Sequence, residues 1–318
     1  MNAFEYASPK SLNDALALLG GSWNDAVVLA GGTDLLSCMK DHVMQPKRVV
    51  SVRLISDLKG IKATSQSLRI GATVTFDELM SHPNIRGPYN AIFQAVQGVS
   101  SPQIRNMGTV GGDLCQRPRC WYFRNGLSPD LIEKGENKYH AIFWNGSAKF
   151  VSASSLGPAL VALNAKVKLA SQKGAREVEA EKFFVTPANA QAREIDLQPN
   201  EILTEVNIPG GAGLRSATYE VRQKDALDWP LATASVALMM QGMQVKSARI
   251  VMGHVGPTPV LSEDAAQAIV GKVITPEAAE AAGDAAVKNA KPLSDNGYKV
   301  QLAKVAVKRA LLAVGRAR

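Results

Sequence analysis

The sequence predicts an α+β protein that contains two small α/β units and a separate C-terminal domain. One Gly-Gly pair falls in each predicted α/β unit, within segments 26–36 and 108–116. Three strand-like segments and then three helix-like segments follow the Pro- and Gly-rich stretch 209–213, an order typical of a separate α+β domain. We therefore expect domains at residues 1–60, 61–209 and 214–318.

The first unit is expected to alternate helix and strand, because leucines at helical spacing come before a short β-branched run. Its predicted elements are a helix over 12–19 that starts after Ser8-Pro9 and ends at Gly20, a strand at 26–30, a helix through Lys40 that Thr33 or Asp34 caps, and a strand at 47–51. Gly31-Gly32 thus lies at a strand-to-helix junction, where free N–H groups favour anions.

The rest of the chain shows the same kinds of pattern. In the second unit we expect a strand at 68–72, a helix opened by a capping box at 75–78, a helix at 158–163, and strands at 166–169 and 201–208. In the C-terminal domain we expect strands at 214–222, 232–240 and 244–255, and helices at 262–270, 275–289 and 294–314.

Composition excludes several classes of protein. The chain of 318 residues is 46% hydrophobic, has no run of apolar residues long enough for a membrane span, and starts without a signal-peptide pattern. Its three cysteines, an odd number without paired spacing, argue against a disulfide framework and for a reducing compartment. We expect a cytoplasmic location, or a periplasmic one only if an exported partner carries the chain.

The net charge of +8 is spread along the chain except in two places. One is the arginine cluster from Arg105 to Arg124, and the other is the tail from Tyr298, which has no acidic residue. The tail has apolar residues at helical spacing and is interpreted as a solvated helix face rather than a binding stripe. The arginine cluster is of more interest because it adjoins a Gly-Gly pair.

A Gly-Gly pair can hold a phosphate, because it lets the backbone turn with positive φ and brings N–H groups to an anion without a Cβ in the way. One pair alone is weak evidence, since such turns also serve packing. The pattern is not the G-x-G-x-x-G of a Rossmann unit, which disfavours a nicotinamide-binding domain of that type.

Three ordered motifs together resemble the FAD-binding subunits of molybdenum hydroxylases, the group of xanthine dehydrogenase, aldehyde oxidoreductase and carbon monoxide dehydrogenase. The motifs are Ala-Gly-Gly-Thr-Asp-Leu at 30–35, Arg-Asn-Met-Gly-Thr-Val-Gly-Gly-Asp-Leu at 105–114, and Tyr-Glu-Val-Arg-Gln-Lys at 219–224 with Asp-Trp-Pro-Leu-Ala at 228–232. The resemblance implies two α/β subdomains of the FAD-binding type 2 (PCMH-like) fold clasping FAD, and a C-terminal domain of three antiparallel strands packed on helices.

The resemblance also implies which residues bind the cofactor. The expected FAD contacts are Leu29, Ala30, Gly31, Gly32, Thr33, Asp34, Leu35, Ile104, Gly108, Thr109, Gly111, Gly112, Asp113, Leu114, Ser155, Leu203, Lys224 and Trp229. Lys224 and Trp229 match positions near the isoalloxazine, where a cation would stabilise reduced flavin and an indole would cover it; a buried pair at a strand end is the alternative. No catalytic residue and no metal ligand is expected in this chain.

Two positions depart from the family pattern. Asp113 stands where relatives usually have Asn, which removes an amide donor and places a carboxylate near an anion unless it faces the ribityl hydroxyls. Ser155 stands where relatives carry Asp, so a carboxylate is missing before the helix at 158–163, which Ser155 can cap.

The segment Gln116–Arg124 resembles a family branch in which an inserted loop holds a four-iron four-sulfur cluster. Such a cluster takes four thiolates, whereas this chain has Cys38, Cys115 and Cys120 and no cysteine in 125–136. We expect that the cluster is lost. Cys120 and the aromatic residues 121–123 are then a remnant, a docking surface for a partner, or simply buried.

The resemblance implies a role in electron transfer. The chain would take electrons from a two-iron two-sulfur subunit, itself fed by a large molybdopterin-containing subunit, and pass them through FAD to NAD, oxygen, a quinone or a redox protein. Two other hypotheses stay open: a flavin-less subunit that kept the fold, motivated by Asp113 and Ser155, and a nucleic-acid-binding protein that uses the basic regions.

Overall fold

Three β-sheets follow one another along the chain. The computed structural model describes residues 1–99, 101–127, 131–189, 192–224 and 227–316. Within these ranges a three-stranded sheet is followed by a five-stranded and then a four-stranded sheet. The described residues include no helix that is both long and apolar enough to cross a membrane.

The first sheet is parallel and lies in the order β1-β3-β2. Its elements are β1 Glu5–Ala7, α1 Leu12–Ala17, β2 Ala26–Leu29, α2 Leu35–Lys40 and β3 Arg48–Ser51. The two helices and the strands β2 and β3 match the predicted alternation, whereas β1 was not predicted. The side chain that caps α1 is Ser11, which accepts a hydrogen bond from Asp14 N.

The second sheet is antiparallel, in the order β4-β5-β8-β6-β7, with helices inserted between its strands. Its elements are β4 Ile61–Ala63, β5 Ser67–Gly71, α3 Phe76–Ser81, α4 Asn90–Gln97, α5 Pro102–Met107, α6 Val110–Leu114, α7 Trp121–Arg124, α8 Leu131–Lys134, α9 Gly157–Ala162, β6 Lys166–Ser171, β7 Gly174–Glu179, α10 Ala180–Phe183 and β8 Ile202–Pro209. Short 3-10 helices cover Ser56–Leu58, Pro83–Ile85 and Gly87–Tyr89.

Two details of this sheet bear on the prediction. The capping box is present, because the Thr75 side chain accepts from Glu78 N while the Glu78 carboxylate accepts from Thr75 N. The edge strand β7 escaped prediction, since its sequence Gly-Ala-Arg-Glu-Val-Glu is largely exposed and has too little apolar alternation.

The C-terminal sheet is antiparallel, in the order β12-β11-β10-β9. Its elements are β9 Leu214–Val221, β10 Ala232–Gln241, β11 Gln244–Gly253, β12 Val260–Leu261, α11 Glu263–Ile269, α12 Pro276–Ala286 and α13 Tyr298–Arg316. The three predicted strands form the body of this sheet, and the two-residue β12 extends its edge. Residues of β10 and β11 share one buried core with the three helices.

The first two sheets are packed together. Ala15 and Ile55 from the first unit share a small buried core with Ala170 of β6 and Ile202 of β8. The helix α6 is fastened to the chain just after β5, because Gly111 N donates to Ala72 O at 2.8 Å and Val110 N donates to Val74 O at 2.9 Å. This packing fixes the second Gly-Gly pair beside the first.

Candidate functional site

The two glycine segments meet in backbone contact. A Cβ built on Gly31 would overlap the carbonyl oxygen of Met107 and would lie 3.3 Å from Gly108 N. Only glycine therefore fits at position 31 without moving the chain that leads into α6. Residues 30–35 and 108–114, far apart in sequence, consequently form one surface.

The two pairs do not use glycine in the same way. Gly32 has φ of +76°, in the left-handed region that favours glycine. Gly111 and Gly112 instead lie inside the short helix α6, which Thr109 caps by accepting a hydrogen bond from Gly112 N at 3.1 Å. The expected turn with positive φ is thus absent from the second pair, where a Cβ built on Gly111 would lie 3.0 Å from Ala72 Cβ.

Two adjoining cavities open along this surface. The first has a volume of about 140 Å³ and the second a volume of about 210 Å³. Both are lined by residues of the two glycine segments, namely Thr33, Asp34, Thr109, Gly112 and the nearby Gln116. The shared lining makes them two parts of one cleft between the first and second units.

Most of the predicted contact residues line this cleft. In addition to the shared ones, the first cavity is lined by Ala30, Gly31, Gly32, Leu35, Gly111 and Leu203. The second cavity is lined by Ile104, Gly108, Asp113, Ser155 and Trp229.

Three predicted contact residues line neither cavity. Leu29 lies at the end of β2 with its side chain near Gly32, Leu114 is buried in the core of the second unit, and the side chain of Lys224 is exposed. The structure thus brings Trp229 to the cleft without bringing Lys224 there.

Asp34 holds the arginine cluster instead of capping α2. It stands at the N-cap position, but its side chain makes no capping hydrogen bond. Its Oδ1 lies 2.7 Å from Arg124 Nη2 and 3.3 Å from Arg119 Nη2, and its Oδ2 accepts from Arg117 N at 2.8 Å. The predicted capping role was wrong because the arginines outcompete the helix N–H groups for this carboxylate.

Two arginines at the cleft are incompletely paired. The Nε atoms of Arg119 and Arg193 are buried and have no hydrogen-bond partner among the residues described. Burial lowers the pKa of Arg119, and burial together with the charge of Arg117 lowers the pKa of Arg193 to about 10. Desolvated cations with free N–H groups favour an anionic ligand.

Aromatic rings support these arginines. The guanidinium of Arg193 lies 4.0 Å from the ring centre of Trp23, and that of Arg119 lies 4.8 Å from the ring centre of Trp229. Trp23 and Arg193 line the first cavity. Stacking fixes each guanidinium over an aromatic face while leaving edge N–H groups free.

Asp113 points toward α9. Its carboxylate accepts hydrogen bonds from Ser154 Oγ at 2.6 Å, Leu156 N at 2.9 Å and Ser155 N at 3.1 Å. Burial raises its pKa, while these hydrogen bonds act in the opposite direction. Asp113 thus supplies the carboxylate that was expected to be missing before this helix.

Ser155 does not cap α9 with its side chain. The hydroxyl that accepts from Gly157 N, at 2.8 Å, belongs to Ser154. Ser155 contributes its backbone N–H to Asp113 and lines the second cavity.

The three cysteines lie in different surroundings. Cys38 is buried and accepts from Arg124 Nη1 at 2.7 Å, Cys115 lines the first cavity, and Cys120 Sγ lies 3.1 Å from His140 Nε2. Burial raises the pKa of Cys115 to about 12. In the described part of the chain, no group of three His, Cys, Asp or Glu residues is arranged to hold a metal ion.

The aromatic residues after Cys120 are half-buried. Trp121 packs edge-on against Tyr122, Tyr139 and His140, with ring-centre distances of 6.2, 5.8 and 6.0 Å. Neither full burial nor a fully exposed docking surface describes this segment.

The basic tail forms α13 and is partly neutralised. Lys304 lies 2.6 Å from Asp284, and Lys308 lies 2.9 Å from Glu280. Both acids belong to α12, so these lysines face a neighbouring helix rather than a nucleic-acid groove.

Sequence reasoning missed several residues of the cleft. Arg117 and Arg119 belong to the cluster that was noted for its charge, and that signal could have assigned them to the site. Trp23, Thr73 and Arg193 gave no local signal, because each joins the first cavity only through packing between units.

The chain matches two protein-family models over nearly its whole length. Residues 2–211 match the family model described as the FAD binding domain in molybdopterin dehydrogenase, and residues 217–314 match the CO dehydrogenase flavoprotein C-terminal domain. The carbon monoxide dehydrogenase medium chain of Hydrogenophaga pseudoflava is 31% identical over 97% of this chain and 96% of its own length. The nicotinate dehydrogenase FAD-subunit of Eubacterium barkeri is 29% identical over 88% of this chain and 84% of its own.

A solved structure shows the same fold. The reconstituted CO dehydrogenase from Oligotropha carboxidovorans contains a chain that superposes with a TM-score of 0.80 at 28% identity, covering 100% of this chain and 99% of that one.

Proposed function

Since this chain belongs to the family of FAD-binding subunits of molybdopterin dehydrogenases, we propose that its cleft binds FAD and that the chain is an electron-transfer subunit. It takes electrons from iron–sulfur clusters on a partner subunit and delivers them to an external acceptor. FAD, when bound, supplies the redox chemistry, and the protein supplies binding and electrostatics.

The observation that carries this proposal is the backbone contact between Gly31 and Met107. It joins the two glycine segments at a cleft that both of them line, and main-chain N–H groups beside glycine favour a bound anion. The free N–H groups of Arg119 and Arg193 add positive charge at the same cleft. The residues present therefore fit a dianionic diphosphate.

Within this proposal the residues have distinct tasks. Segment 30–35 holds the diphosphate with backbone N–H groups. Segment 108–112 lines the cleft beside it, but the N–H groups of Val110, Gly111 and Gly112 are used within the protein, and Asp34 positions Arg119. Trp229 covers the ring system, since it is the indole that lines the second cavity. Leu29, Leu114 and Lys224 act through neighbouring residues, because their side chains do not line the cleft.

Partner subunits complete the electron path. A two-iron two-sulfur subunit and a large molybdopterin-containing subunit supply the remaining redox centres. Three cysteines cannot provide the four thiolates of an iron–sulfur cluster, which is consistent with that division of tasks. We further propose a cytoplasmic location, supported by the three free thiols.

A pair of glycine variants tests the cofactor site. Gly31→Ala places a methyl group against Met107 O, whereas a Cβ at Gly21 meets nothing within 4 Å. We expect the wild-type chain and Gly21→Ala to purify with equimolar FAD, released on denaturation and detected by absorbance and fluorescence. Gly31→Ala should lose most of it.

Two results would contradict the proposal. One is a colourless wild-type protein that FAD does not stabilise against heat, which would favour the flavin-less subunit. The other is equal flavin content in Gly31→Ala and Gly21→Ala, which would place the cofactor elsewhere.

A further inference from the structure

A third cavity, of about 240 Å³, adjoins the second one. The two share Arg119, Asp228, Trp229 and Pro230. The third cavity continues past Trp229 to Cys120, His140 and His254. None of the residues expected to contact FAD lines it except Trp229.

The lining of the third cavity suits a flat ring. Trp121, Tyr139 and Trp229 supply aromatic surface, and Val151 and Leu231 supply aliphatic surface. Cavities that are mainly apolar, with few polar groups, are typical sites for small organic ligands. The chemistry of the ligand then depends on those few polar groups.

Three side chains that line the third cavity, Arg119, His140 and His254, carry a buried nitrogen without a hydrogen-bond partner among the residues described, and His254 is the most deeply buried of them. It is 2% exposed, its Nδ1 lies 3.0 Å from Thr233 Oγ1, and its Nε2 has no hydrogen-bond partner among the residues described. Its φ of +59° is uncommon outside glycine, and such strain is often kept at functional sites. A buried imidazole nitrogen that lacks a partner marks a place for a ligand atom.

Because it bonds to the Thr233 hydroxyl, this imidazole can pair either with a hydrogen-bond acceptor or with a hydrogen-bond donor of a ligand. Burial keeps the ring neutral, because it lowers the pKa of His254 to about 3. If the Thr233 hydroxyl donates to Nδ1, Nε2 carries the proton and donates; if the hydroxyl accepts, Nε2 accepts. A carbonyl that becomes a hydroxyl can therefore keep its hydrogen bond throughout.

The charges disfavour a phosphate-bearing ligand. Lys299 Nζ donates to the carbonyl oxygens of Tyr139, His140 and His254, so its three N–H groups are used. Arg119 is shared with Asp34 and Gln116, and the carboxylate of Asp228 stands at the boundary with the second cavity. A nicotinamide dinucleotide would meet that carboxylate and no free ammonium group, and the Nε of Arg119 would be its one unpaired cationic donor among the residues described.

We propose that the third cavity binds the electron acceptor, a small neutral quinone, with one quinone oxygen hydrogen-bonded to His254 Nε2. This inference rests on the proposed function, since it takes the second cavity as the flavin site. Reduced flavin, when bound in the second cavity, would supply the two electrons and two protons that convert the two carbonyl oxygens of the quinone to hydroxyls. It would be left oxidised, and the quinol would depart.

Binding is tested by calorimetry with menadione, a naphthoquinone, on the full chain with its FAD content recorded. His254→Asn keeps a residue that tolerates positive φ but removes Nε2, and Val151→Trp fills a cavity that Val151 lines without lining the other two. The matched control is His42→Asn, which changes an exposed histidine with φ of +57°.

We expect saturable binding to the wild type and to His42→Asn. His254→Asn should bind roughly tenfold more weakly, the effect of one lost hydrogen bond, and Val151→Trp should not bind. All four proteins should contain equal FAD, because the substitutions lie outside the glycine segments.

The outcomes separate the two proposals. Equal menadione affinity in the wild type and Val151→Trp overturns the quinone site, as does displacement of menadione by NAD. A wild-type protein without FAD contradicts the proposed function, whereas the menadione titrations of a flavin-free chain still decide whether the third cavity binds a quinone.

Discussion

The carboxylate of Asp113 accepts a 2.6 Å hydrogen bond from Ser154 Oγ, joining two segments that are 41 positions apart. The same carboxylate accepts from the N–H groups of Ser155 and Leu156. In the family pattern the carboxylate is expected at position 155 and an amide at 113, and here the carboxylate is on the opposite segment. The segment before α9 therefore still has a carboxylate as its hydrogen-bond acceptor, but Asp113 supplies it instead of residue 155.

Removal of this carboxylate should destabilise the protein. Asp113→Ala leaves three buried donors without an acceptor, and we expect the free energy of unfolding to fall by about 2 to 3 kcal/mol. Asp113→Asn keeps one acceptor oxygen and should cost about half as much. Urea denaturation followed by circular dichroism measures both, with the exposed Asp41→Ala as a control. Equal stability of Asp113→Ala and Asp41→Ala would show that the cap contributes nothing.

A second prediction concerns Asp34, whose carboxylate lies among arginines. Asp34→Asn leaves Arg124 and Arg119 without their counter-charge in a largely buried setting, and we expect a loss of about 3 kcal/mol. Glu179→Gln breaks an exposed pair with Lys182 and should change stability little. The comparison uses the same denaturation assay. Similar losses for the two variants would contradict a buried role for Asp34.

Acid should destabilise the protein through two buried histidines. Burial lowers the pKa of His254 to about 3 and that of His140 to about 4, from 6.5 in the unfolded chain. As pH falls from 6.5 to 4 the unfolded chain binds protons that the folded chain does not, so the free energy of unfolding decreases. His254→Asn removes one of these groups.

The measurement is the difference in unfolding free energy between the wild type and His254→Asn, taken at several pH values. Between pH 6 and 4 this difference should shift against the wild type by about 1.4 kcal/mol for each pH unit. Parallel curves for the two proteins would mean that His254 titrates equally in both states.

Iron analysis tests the inferred loss of the cluster. We expect the isolated chain to contain no stoichiometric iron, since Cys38, Cys115 and Cys120 are fewer than the four ligands required. Cys120→Ser should leave the visible absorption spectrum unchanged. Iron in a fixed ratio to protein, or a change of spectrum in Cys120→Ser, would restore a cluster role.

Much of the fold followed from local pattern. The apolar runs at 26–29 and 232–240, and the capping box at Thr75, are properties of contiguous residues and appear as elements where expected. The edge strand β7 and the short strand β12 are present in the structure but were not predicted, because exposure or shortness removes the alternation on which such a prediction depends.

The sequence by itself determined the family, the position of the two glycine segments and the apolar elements that place them, because each depends on residues adjacent in the chain. Only the tertiary structure decided that Gly31 touches Met107, that Asp34 binds arginines rather than capping α2, and that His254 faces a cavity with a free nitrogen. Those relationships arise where separate sheets and helices pack together. Hydrogen-bond partners distant in sequence compete there on distance and burial, which no local pattern records.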